Sequence, residues 1–154
     1  MMSGSMIARR SSLIVALLVC ASAAHAVDSA EPCKIGSEKQ TVTLALSDSG
    51  AQLPVSVVAT LSYDATLARP LEPLRAQVKT LANGAMLVPA VTTEGLRLVA
   101  GKGGGLPSGP LAEIQLARCA GARAPVASDF HCTVDSCAGS GGAISDCGCS
   151  VVVR

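Results

Sequence analysis

Six cysteines carry the most chemistry in this chain: Cys33, Cys119, Cys132, Cys137, Cys147 and Cys149. Such a set either binds metal as thiolates or closes disulfides. The pair Cys147-Gly148-Cys149 could chelate on its own. A zinc site, however, joins two short Cys or His spacings, and His131 is the single histidine in the same part of the chain. An even number of cysteines in an exported chain of this size reads as a disulfide framework. Strand adjacency suggests Cys119 with Cys132, Cys137 with Cys147 across a glycine-rich turn, and Cys33 with Cys149. Cys147 and Cys149 are interchangeable in that argument. Six cysteines allow fifteen pairings, and spacing alone selects none.

His131 is the one candidate general base, with Asp129 two residues before it or Asp135 four residues after it to orient it. A lone outward histidine on a strand is ordinarily solvated, and no Gly-x-Ser-x-Gly elbow supplies a nucleophile. Gly101-Lys102-Gly103-Gly104-Gly105 lacks the spacing of a phosphate loop and the Ser or Thr after its lysine, so it reads as a plain loop. The residues therefore assign no catalytic site, no metal site and no cofactor, and they leave the binding residues unknown.

The segment that precedes these groups explains the cysteine chemistry. Arg9 and Arg10 lead into an apolar run at 13–19 and then small residues ending Ala24-His25-Ala26. That is the layout of a signal peptide, 1–26, cleaved after Ala26. Val19 before Cys20 disfavours lipoprotein processing. The expected mature chain holds ten basic and eleven acidic residues, a formal charge of −1, with no run of Lys or Arg. A phosphate-tracking surface is excluded, and with it a nucleic-acid partner. Once the signal is cleaved, no membrane span is expected.

Tyr63 and Phe130 are the only aromatic residues. A sugar platform of stacked rings is therefore excluded, which leaves hydrogen-bonded or calcium-assisted recognition as the open forms of sugar binding. The same scarcity makes the disulfides matter, because an aliphatic core buries less area per residue than one with several rings.

Strands must position these groups. Val55, Val57, Ala59, Leu61 and Tyr63 alternate with Ser56, Thr60 and Ser62 until Asp64, the pattern of a half-buried strand. A strand at 39–47 turns the same way, with Val42, Leu44 and Leu46 on one face and Thr41, Thr43 and Ala45 on the other. Further strands are expected at 85–88, stopped by Pro89, and at 95–100, 111–119 and 129–135. In the last of these Phe130, Cys132 and Val134 point inward. A final strand at 144–153 is interrupted at Gly148. Pro70 and Pro73 bar 67–73 from a central strand. The segment 74–81 fits either a short helix or an irregular strand. The outcome is one antiparallel β-sandwich domain at 38–154, after a short lead at 27–37.

The run Val57-Val58-Ala59-Thr60-Leu61-Ser62-Tyr63-Asp64, followed by Ala65-Thr66-Leu67, resembles the cohesin-like family, in which an alternating strand ends in Tyr-Asp. Gly95-Leu96-Arg97-Leu98-Val99-Ala100, the stretch 106–116 and the closing Val151-Val152-Val153 are similar to its later strands. The resemblance implies a jelly-roll, carbohydrate-binding-module-like sandwich of about nine strands with the first and last adjacent. It also implies a non-catalytic module that holds a protein partner such as a dockerin through one sheet face, or attaches to polysaccharide. Six cysteines depart from that pattern.

The expectation is thus an exported, disulfide-stapled binding module, periplasmic or extracellular, with a protein module or polysaccharide as partner. Its rivals are a small secreted hydrolase using His131 and a purely structural envelope protein.

Overall fold

The computed structural model describes residues 33–47, 50 and 52–154; the expected signal segment lies outside them. The regular structure of the described chain is almost all strand: β1 (Ile35–Leu46), β2 (Ser56–Tyr63), β3 (Ala68–Pro70), β4 (Val78–Thr80), β5 (Met86–Thr92), β6 (Gly95–Gly101), β7 (Gly109–Cys119), β8 (Phe130–Gly139), β9 (Gly142–Ala143) and β10 (Cys149–Val153). One helical turn, α1 (Leu74–Gln77), precedes β4, and a 3-10 turn at Ala127–Asp129 precedes β8. Every pairing is antiparallel. The first sheet runs β10-β1-β7-β3, with β4 also on β7, and the second runs β5-β6-β2-β8-β9. First and last strands are neighbours, as the resemblance implies.

The alternation read from the sequence sets the core. Val42, Leu44 and Leu46 of β1 and Ala112, Ile114 and Leu116 of β7 are buried against Val57, Ala59 and Leu61 of β2 and Leu96, Leu98 and Ala100 of β6. Each fully buried leucine contributes about 1.5–3 kcal/mol relative to exposure. The rings supply one contact, Tyr63 against Phe130, with centroids 6.3 Å apart and planes tilted by 44°. β2 stops where expected. Asp64 Oδ1 accepts hydrogen bonds from the Thr66 amide at 2.8 Å and its hydroxyl at 2.6 Å, turning the chain away.

Several boundaries differ from the sequence reading. β1 begins at Ile35, so the described chain joins the sandwich ahead of 38. β5 runs through Pro89 to Thr92. Proline fits because β5 is an edge strand paired only to β6, which lets the missing N–H fall on the unpaired side. The segment 74–81 is both alternatives in turn, α1 and then β4. The final stretch 144–153 is not one strand, since only Cys149–Val153 pairs with β1. Strict alternation would send Leu111 and Ala112 to opposite faces, yet both are buried. A bulge between the Leu44–Ala112 and Ala45–Pro110 pairs makes Leu111 the extra residue.

The disulfides are Cys33–Cys119, Cys132–Cys149 and Cys137–Cys147, with Cα–Cα distances of 5.2, 5.8 and 6.2 Å. Cys137–Cys147 is the expected pair; the other two correct the expectation. β7 and β8 follow one another in the chain but do not pair, so Cys119 and Cys132 are not cross-strand neighbours. Register instead sets Ile35 opposite Cys119, which brings Cys33 within reach. Cys132 takes Cys149, tying β8 of one sheet to β10 of the other.

Candidate binding face

The outer face of the second sheet carries the groups that could meet a partner. Its cross-strand rows follow from register. Val88, Val99, Val58 and Ser136 form one row, Ala90, Arg97, Thr60 and Thr133 the next, and Ser62 lies opposite His131 beyond that. Val88 and Val99 are 44% and 45% exposed, and Met86, two residues along β5 from Val88, is 75% exposed. The sheet therefore presents a band of valine and methionine side chains beside a polar row.

Within the polar row, β8 carries a bulge. Val58 pairs with Ser136 and the adjacent Ala59 with Val134, which leaves Asp135 unpaired. A bulge re-aims the side chain of its extra residue. Asp135 Oδ2 accepts the Thr60 hydroxyl at 2.7 Å, and Arg97 Nε lies 3.7 Å from the same oxygen. Thr60 is only 8% exposed although it faces outward, because its neighbours close over it. Thr92, Thr93 and Glu94, from the β5–β6 turn, form the opposite wall of a cleft of about 360 Å³. Thr92 fixes that turn, donating its hydroxyl to the Gly95 carbonyl at 3.3 Å and accepting the Glu94 amide at 3.3 Å. The same turn borders a second depression of about 220 Å³ that includes Tyr63, Arg69 and Val91. Burial pushes the Tyr63 phenol above its ordinary value, against the opposing pull of the Arg69 cation.

The residues weighed as an acid–base set are brought near one another but not into one constellation. His131 is exposed on this face, and its carbonyl accepts the Ser62 hydroxyl at 3.4 Å. Asp129 is held by Arg123 at 2.5 and 2.7 Å and by the Val126 amide at 2.7 Å, which lowers its carboxyl to about 2. Asp135 is engaged by Thr60 and Arg97. Both acids are thus turned to other partners. In the glycine-rich loop, the Lys102 amide donates to the Val55 carbonyl and the Gly105 amide to that of Lys102, at 2.9 Å each. The first ties the loop to the chain ahead of β2 and the second closes a turn within it. Among the described residues no three His, Cys, Asp or Glu side chains gather as a metal site, and no helix is long and apolar enough to cross a membrane.

The Thr60–Asp135–Arg97 grouping escapes a reading by alternation, which assigns each residue only a face. One signal was present. Cys132 and Cys137 are an odd number of residues apart, so both can turn inward on one strand only across a bulge.

No protein-family profile matches the sequence, and no curated protein matches it. Among solved structures, a cohesin module from a family 33 glycoside hydrolase of Clostridium perfringens ATCC13124 superposes with a TM-score of 0.51 at 11% identity. The match covers 78% of this chain and 91% of that module. The fold is cohesin-like. At this identity the likeness concerns the path of the backbone, and the side chains on the face described above are this chain's own.

Proposed function

We propose that this chain is an exported, non-catalytic attachment module that holds an extracellular macromolecule, protein or polysaccharide, on the outer face of its second sheet. The observation that carries this reading is the exposed band of Met86, Val88 and Val99 next to the Thr60–Asp135–Arg97 cleft. A flat sheet face with an apolar strip and a polar margin has the make-up of an interface core and its rim. The likeness to a cohesin module supports the attachment role, and three disulfides support export. The layout of 1–26 as a signal peptide supports the same route. The engagement of Asp129 and Asp135 away from His131 weighs against a hydrolase.

The test immobilises the oxidised protein and passes over it the macromolecules exported by the same cells. Retention should be lost with V88E/V99E and kept with V152E, an exposed valine on the other sheet. Retention that survives V88E/V99E, or no retention by the unaltered protein, overturns the reading.

A further inference from the structure

Building on the attachment reading, we propose that the cleft between the β5–β6 turn and β8 is a saccharide subsite. It takes one neutral pyranose unit, with neighbouring hydroxyls bound by Arg97 and Asp135. Asp135 Oδ2 is fixed by Thr60, and Oδ1 makes no hydrogen bond to the described residues. The Arg97 side chain is 50% exposed, and its contact with Asp135 runs through Nε at 3.7 Å, so the two terminal nitrogens of its fork remain available. A guanidinium only donates and a carboxylate only accepts. A ligand that meets both within one small cleft needs adjacent groups that each donate and accept, which vicinal hydroxyls do.

Charge and shape agree with this chemistry. Arg97 offsets Asp135, and Glu94 on the opposite wall leaves a slight excess of acceptors, which disfavours an anionic ligand. Val99 follows Arg97 on the same face of β6, with Val58 beside it on β2. One row along from the Arg97 and Thr60 lining of the cleft, the two valines offer apolar contact to the C–H face of a bound sugar chain. This replaces the aromatic platform that a chain without tryptophan cannot build. The cleft, about 360 Å³, lies in the size range of small-ligand sites. Thr60, buried behind Asp135, holds the carboxylate in place so that less freedom is lost on binding.

The experiment is saturation-transfer NMR on the oxidised protein with neutral hexasaccharides of β-1,4-linked glucose, mannose, xylose and N-acetylglucosamine at millimolar concentration. At least one should bind. R97Q and D135N should each weaken it about tenfold or more, roughly the loss of one charge-assisted hydrogen bond. The V152E variant, altered on the other sheet, should bind as the unaltered protein does. Unchanged far-ultraviolet circular dichroism and six oxidised cysteines establish that a variant has folded. Binding of none of the four, or binding indifferent to both R97Q and D135N, overturns the subsite. If the subsite fails while V88E/V99E abolishes retention of an exported macromolecule, the attachment reading stands alone. If hexasaccharides bind while retention fails, the apolar band is what falls.

Discussion

Val134 and Cys137 both face the core although an odd number of positions separates them on β8. A regular strand would send one of them to solvent. The extra residue between them, Asp135, absorbs the mismatch, so one bulge both exposes a carboxylate and delivers Cys137 to Cys147. Excising Asp135 should therefore regularise β8 without losing the fold. Val58–Ser136 and Ala59–Val134 become consecutive pairs and Cys137 stays inward. The expected result is no free thiol under denaturing, non-reducing conditions, together with loss of hexasaccharide binding. Two reactive thiols would show that the bulge is required for the disulfide.

The three disulfides should differ in weight. The Cys33–Cys119 bridge spans a separation of 86 residues, Cys132–Cys149 of 17 and Cys137–Cys147 of 10. On the loop-entropy account their removal costs about 4–5, about 3 and about 2.5–3 kcal/mol respectively. Paired Cys→Ala variants, compared by urea denaturation, should rank in that order. Equal losses would mean that native-state contacts of each bridge outweigh the chain entropy.

Stability should fall in acid. Arg123 and the Val126 amide hold the Asp129 carboxyl at about 2. The Thr66 hydroxyl and amide lower that of Asp64. Groups with a depressed folded pKa bind protons more readily when unfolded. Their contribution is therefore present above the ordinary carboxylate value and is lost as pH drops toward the folded one. Urea midpoints measured from about pH 5 down to about pH 2 should decline, and D129N should flatten that decline.

Gly95 opens β6 at φ +140°, and a Cβ there would stand 2.3 Å from the Leu61 carbonyl oxygen. The obstacle is backbone of the neighbouring strand, so G95A should destabilise by about 1–3 kcal/mol. G103A meets nothing within 4 Å and should stay within about 0.5 kcal/mol of the unaltered protein. Thermal denaturation of the two variants checks the contrast.

Much of the sandwich was legible because alternation is a local signal. Val57 to Tyr63 and Leu96 to Ala100 carry their facing in their own order, and the structure keeps it. What escaped depends on partners distant in sequence. Leu111 turns inward because β1 and β7 slip by one residue, a fact about two strands together. Pro89 is tolerated because β5 is an edge, and edge position is a property of the whole sheet. Cysteine pairing likewise follows from which strands meet. The candidate site was legible only in part. Asp135 was noted as a partner for His131, while its true neighbours, Thr60 and Arg97, come from β2 and β6.

Tyr63 sits half-buried against Phe130 and on the rim of the depression beside the β5–β6 turn. Because the sequence has no tryptophan and one tyrosine, the tyrosine emission of this protein originates at a single known point. The phenol's raised pKa keeps it un-ionised through neutral and mildly alkaline buffers. The molecule thus carries a built-in optical probe at the junction of core and rim. Unfolding, and a ligand's arrival at the neighbouring turn, can be followed from one fluorophore with no label attached.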